Sequence, residues 1–100
     1  MAVDVKNIVL NIRKPMELKD TIEMMNSKDY KERFKAEFWQ TYIRYEKLSD
    51  MLRKHDLGQL GRLINAEEMD LYEKQYEAME NYIEALYLRA KINNIDLWGV

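Results

Sequence analysis

Between residues 16 and 98 the chain has no proline and only two glycines, Gly58 and Gly61, and these stand together between two long stretches in which apolar side chains return every three or four positions. That pattern admits helix and little else. In the first stretch Phe34, Phe38, Thr41, Tyr45, Leu48 and Leu52 form an a/d seam, broadened on one side by Trp39, Tyr42 and Ile43. In the second, Met69, Tyr72, Tyr76, Met79, Ile83, Leu86 and Ala90 repeat the alternation. Ser27 is the expected N-cap of the first helix, with Asp29 and Glu32 adding negative charge to its first turn, and the helix should run to about His55. Asn65, followed three residues on by Glu68, predicts the cap of the second, which should end near Asn93 with Arg89 and Lys91 against the negative end of its dipole. Two helices of about 27 residues, each about 40 Å long, joined by a loop over 56–64, form an antiparallel hairpin.

The flanks are shorter. From Ala2 to Ile12 the β-branched residues alternate only in part and predict an extended arm or strand, so the chain divides into an arm over 1–14 and a helical hairpin domain over 15–100. Pro15 suits the first turn of a short helix whose apolar side would be Met16, Leu18, Ile22 and Met25. Ile95, Leu97 and Trp98 form an apolar tail expected to fold back on a helix end. Both long helices carry more apolar surface than one neighbour covers, including the small Ala78 and Ala85 one heptad apart. The expected fold is therefore all-α: a long-helix hairpin with a short N-terminal helix and arm, assembling into a helical-bundle homo-oligomer.

Composition removes several function classes. With no cysteine and one histidine there is no disulfide framework, thiol nucleophile or Cys/His zinc site, and the chain suits a reducing cytoplasm. Ser27 and Ser49 lack the glycines of a nucleophile elbow, so catalysis is not expected. A formal charge of −2 argues against duplex nucleic acid as a partner. No apolar run reaches the roughly 20 residues of a membrane span, so no membrane partner is expected either.

One line of residues beside the second seam is unusual. Leu71, Gln75, Ala78, Tyr82, Ala85, Arg89 and Ile92 follow each other at spacings of four and three, so Gln75, Tyr82 and Arg89 project in nearly one direction at about 10 Å intervals. The first helix offers Tyr30 and Arg33 one turn apart, then Trp39. An antiparallel hairpin sets its start beside the end of the second helix, which makes Arg33 and Arg89 neighbours. Two guanidiniums held together need Glu37 or a bound anion between them, and guanidinium geometry fits phosphate. Tyr30, Trp39 or Tyr82 would stack a base, and Gln75 would read a base or ribose edge. Singly, such residues are ordinary rim and core side chains; together they outline a nucleotide pocket. The row Glu73, Glu77, Glu80 and Glu84 forms an acidic ridge, ordinarily a solvated face.

Tyr30-x-x-Arg33 opening the first long helix, with Gln75, Met79, Tyr82, Leu86 and Arg89 on the second, resembles a group of small helical-hairpin proteins of tailed phages, crAss-phage-related ones included. The likeness runs over most of residues 16–97; the arm departs from it. In size, helical character and its Arg/Tyr/Gln set the chain is also similar to phage sponge proteins, which sequester cyclic nucleotides or ADP-ribose derivatives made by bacterial immune systems. The resemblance implies a non-catalytic, cofactor-free anti-defence protein of the bacterial host cytoplasm, with a nucleotide second messenger and further copies of itself as partners. Its ligand-binding residues would be Tyr30, Arg33, Trp39, Gln75, Tyr82 and Arg89. The alternatives are a protein-binding inhibitor of a defence complex acting through the acidic ridge, and a structural coiled-coil adaptor.

Overall fold

A computed structural model describes residues 16–98, and the expected arm over 1–14 lies outside them. A 3₁₀ turn, Leu18–Thr21, runs into a one-turn helix α1, Ile22–Met25, followed by the long helices α2, Tyr30–Asp56, and α3, Ala66–Ile92. The described residues are all-helical, as the periodicity predicts. Both long helices have 27 residues.

Their ends are set by local chemistry. The Asp29 carboxylate accepts the backbone N–H of Lys31 at 2.9 Å and caps α2, while Ser27 Oγ accepts the N–H of Asp29 at 3.0 Å. The expected cap at Ser27 is thus displaced two residues along: both side chains accept, but the Ser27 hydroxyl is used to turn the backbone into Asp29. At the other end Gly58, at φ 69°, sits in the left-handed position of a Schellman motif, with Gln59 N–H donating to the Lys54 carbonyl at 2.8 Å and Gly58 N–H to that of His55 at 3.0 Å. Asn65 Oδ1 caps α3 by accepting Glu68 N–H at 2.8 Å. α3 closes with a second Schellman turn in which Asn94, at φ 54°, takes the glycine position and Ile95 N–H reaches the Ala90 carbonyl at 2.9 Å.

That second turn throws the C-terminal tail back across the hairpin. Ile95 and Leu97 are buried, Trp39 Nε1 donates to the Leu97 carbonyl at 2.9 Å, and the Trp98 ring stands edge-on to Phe38 and Trp39 at 5.9 and 5.7 Å. Together with Phe34, Phe38, Tyr45, Ile83, Leu86 and Ala90 these residues form the main core, displaced toward the end where α2 begins and α3 finishes.

The segment before α2 packs on α2 alone among the described elements. Gln40 donates to Thr21 Oγ1 at 2.9 Å, and Thr21 and Met24 are the buried contributions of this segment. Ile22 and Met25, expected on its apolar side, are about half exposed, because the 3₁₀ turn rotates Thr21 and Met24 toward α2 instead. The result is three layers with α2 in the middle.

Midway along the hairpin, Tyr45 and Tyr76 stack at 4.9 Å, share a hydroxyl hydrogen bond of 2.9 Å, and Tyr45 also donates to Glu80 at 3.0 Å. Burial first, then these two neighbours, push the Tyr45 hydroxyl well above the ordinary tyrosine range.

Candidate functional site

The antiparallel register places two heptad series face to face. On α2 these are Tyr30, Glu37 and Arg44; on α3, read backwards, Arg89, Tyr82 and Gln75. Arg89 Nη2 donates to the Tyr30 hydroxyl at 3.4 Å, and the Tyr82 hydroxyl donates to Glu37 Oε2. Arg44 and Gln75 extend the two series by one heptad each. Two polar pairs thus cross the groove between the helices like rungs of a ladder.

At the packed end of this ladder, the Arg89 guanidinium lies 5.0 Å from the centre of the Phe34 ring, a cation–π arrangement that holds it over the rim of the core. Tyr30 leaves about half its surface to solvent and meets Phe34 edge-on at 6.1 Å. Arg33, one turn along α2 from Tyr30, is exposed and donates from Nη1 to the Ser27 carbonyl at 2.9 Å. Its side chain is thus directed at the turn before α2, while Arg89 is directed at Tyr30. Glu37, expected between the two arginines, takes the Tyr82 hydroxyl instead. Among the described residues neither Arg33 nor Arg89 forms an ion pair with a carboxylate. Lys31 Nζ, 3.5 Å from the Asn94 carbonyl, adds a cation at the C-terminal end of α3.

In the middle of the ladder, Glu37, Gln40, Thr41, Arg44, Met79 and Tyr82 line an open cavity of about 330 Å³. Arg44 is exposed there, again without a carboxylate partner among the described residues. It was not among the residues the sequence singled out. The signal was present, however: Tyr30, Glu37 and Arg44 are spaced by seven, the same heptad spacing that picks out Gln75, Tyr82 and Arg89.

Two of the expected ligand residues do not join this arrangement, one because it is enclosed and one because it is distant. Trp39 is only 3% exposed, its indole N–H is satisfied by Leu97, and its ring is enclosed by Phe38, Tyr42 and Trp98, so it offers no open face for a base within the folded chain. Gln75 is exposed but lies two heptads, about 21 Å, from Arg89 along the same helix. Within one chain the two flank different parts of the groove. The acidic ridge is also divided: Glu80 turns inward to accept from Tyr45, while Glu73 and Glu77 remain in solvent. No group of three or more His, Asp or Glu side chains suited to a metal ion occurs among the described residues, and none of the described helices is long and apolar enough to cross a membrane.

What this arrangement offers chemically is recognition: unneutralised guanidiniums, phenol rings with open faces, and an amide, along a shallow groove on a rigid scaffold. A family model described as Sequestin matches residues 28–92, from the turn before α2 to the last residue of α3. No curated protein and no solved structure matches the chain.

Proposed function

The chain belongs to the Sequestin family, and from that premise we propose that it is a phage anti-defence protein which binds and holds a nucleotide immune signal, a cyclic oligonucleotide or an ADP-ribose derivative, without altering it. The family's name speaks for sequestration; the ligand class comes from the side chains. Arg89 and Arg33 take phosphate, Tyr30 and Tyr82 offer their rings to a base, and Gln75 reads a polar edge. Trp39 stays with the core, its indole N–H on the Leu97 carbonyl. The proposed setting is the cytoplasm of the infected bacterium.

The observation that carries this reading is the contact between Arg89 and Tyr30 across the packed end, with Arg33 one turn away and no carboxylate neutralising either guanidinium among the described residues. A buried or rim arginine held only by a phenol and a ring face retains donors for an anion. Holding is sufficient for the effect. At nanomolar affinity, about −12 kcal/mol, a stoichiometric excess of protein lowers the free signal below the level an effector needs.

Titration calorimetry with cyclic di- and trinucleotides and with ADP-ribose isomers tests the proposal. At least one of these ligands should bind the wild-type chain, and Arg89→Ala should weaken that binding by about 10-fold or more, the loss of one charge-assisted contact. Absence of binding across the set, or Arg33→Ala and Arg89→Ala variants that bind as tightly as wild type, contradicts it.

A further inference from the structure

The cavity midway along the groove carries a mixture of hydrogen-bonding groups that a phosphate alone does not match. Thr41 Oγ1 is engaged, donating to the Glu37 carbonyl at 2.8 Å. The Gln40 amide nitrogen donates to Thr21 Oγ1 at 2.9 Å and to Met25 Sδ at 3.0 Å, which orients the side chain and leaves its carbonyl oxygen without a donor among the described residues. Glu37 accepts the Tyr82 hydroxyl at Oε2, and its Oε1 has no partner among the described residues. Arg44 lines the same cavity with no carboxylate against its guanidinium among those residues. Met79, packed on the main core, and the exposed Tyr82 supply apolar surface. What stays open is therefore a pair of acceptors, one guanidinium and a ring face.

We propose that this cavity is a guanine pocket and that the captured signal carries at least one guanine base; the inference rests on the nucleotide reading above and narrows it. Guanine presents two adjacent donors, N1–H and the 2-amino group, on one edge and two acceptors, O6 and N7, on another. The donors meet Glu37 Oε1 and the Gln40 carbonyl, the acceptors take paired hydrogen bonds from Arg44, and the base lies against the Tyr82 ring. A phosphate in the same place would set its own acceptors against Glu37 and Gln40. Adenine would turn its N1 acceptor toward the carboxylate and offer only its 6-amino group as a donor.

Size and position agree with this assignment. At about 330 Å³ the cavity lies at the small end of ligand clefts, about 300–1,000 Å³, and suits one base rather than a whole dinucleotide. Glu37 stands one heptad from Tyr30 on α2, and Tyr82 one heptad from Arg89 on α3, so the cavity is about 10 Å along the groove from the guanidinium end. A nucleoside and its phosphate span that separation. The base then sits between Glu37 and Arg44, and the phosphate points toward Arg89 and Arg33. Of the ligand classes proposed, this selects a guanine-bearing cyclic oligonucleotide over an ADP-ribose derivative, whose base is adenine.

NMR titration of the full-length protein with guanosine, inosine and adenosine reads the cavity in the absence of any phosphate. Guanosine should shift the resonances of Glu37, Arg44 and Tyr82. Inosine lacks the 2-amino group and should bind about 10-fold more weakly, the loss of one contact to a charged group; adenosine should leave those resonances in place. Glu37→Gln still accepts the Tyr82 hydroxyl, and in it guanosine should lose its advantage over inosine. In calorimetry cyclic di-GMP should bind the wild type at least about 10-fold more tightly than cyclic di-AMP. Equal responses to the three nucleosides, or a guanosine preference that survives Glu37→Gln, overturns the guanine pocket. Binding of cyclic di-AMP or ADP-ribose with the cavity unmoved by guanosine refutes the pocket and leaves capture standing. Guanosine seated in the cavity with no phosphate-bearing ligand bound more tightly upholds the pocket and refutes the proposed function.

Discussion

At one end of the hairpin, Phe34, Phe38, Leu86, Ala90, Ile95 and Leu97 are buried, contributed by α2, α3 and the C-terminal tail; at the other, Leu63 is 99% exposed, Leu57 is 58% exposed, and Met69 and Tyr72 are covered only in part. Both ends are built on the same alternation of threes and fours. What separates them is a third element: the C-terminal tail closes over the packed end, while only a loop crosses the other. Two helices alone leave much of their apolar surface open, and a seam becomes a core only where something lies across it. The candidate site stands over the closed end, where Arg89 and Tyr30 rest on Phe34, a wall whose rotamers are fixed by packing.

This contrast makes predictions of decreasing size. Phe38→Ala, at a fully buried position, should cost about 3–5 kcal/mol in denaturant unfolding; a loss below 1 kcal/mol would mean the closed end is not the stabilising one. Trp39→Phe removes the indole N–H that holds the Leu97 carbonyl and should cost about 1–2 kcal/mol. It should also speed amide exchange at Ile95 and Leu97 without affecting that of Met69 or Tyr72.

Tyr45→Phe, halfway between the ends, should cost about 1 kcal/mol through its bonds to Tyr76 and Glu80. It should also change the alkaline limb. The Tyr45 hydroxyl is held above its ordinary value by burial, so an unfolded chain releases that proton first. Its contribution is whole below about pH 10 and is lost as pH rises beyond that. Unfolding midpoints measured from pH 8 to 11 should fall with pH in the wild type and fall less in Tyr45→Phe. Smallest of all, Leu63→Ser at the open end should change stability by no more than about 0.5 kcal/mol. A large effect there would dissolve the distinction between the two ends.

Much of the scaffold was legible because it is local. Seam spacing, the Asn65 cap, the reversal at Gly58 and the returning tail each depend on a few neighbouring residues. The errors arise where two local solutions compete or where the rotation of one helix against another decides. Ser27 and Asp29 both make good caps, and the backbone uses one to position the other. Ile22 and Met25 look like a core face until a 3₁₀ turn shifts the phase. Trp39 reads as an open aromatic until a carbonyl 58 residues away claims its N–H. Arg33 and Arg89 do share an end of the hairpin, but which way each guanidinium turns depends on the Ser27 carbonyl and the Phe34 ring, which no spacing rule reveals. Arg44 was legible in principle, through the heptad it forms with Tyr30 and Glu37.

The central claim is capture without chemistry, and a deplete-and-release assay addresses it most directly. A nucleotide signal is mixed with excess protein, the unbound fraction is measured after ultrafiltration, the protein is heat-denatured, and the released molecule is identified by mass spectrometry. The predicted result is near-complete depletion followed by full recovery of the unchanged molecule, with depletion weakened by Arg89→Ala. Recovery of a cleaved or modified product, or no depletion by the wild-type chain for any cyclic oligonucleotide or ADP-ribose derivative, would contradict it.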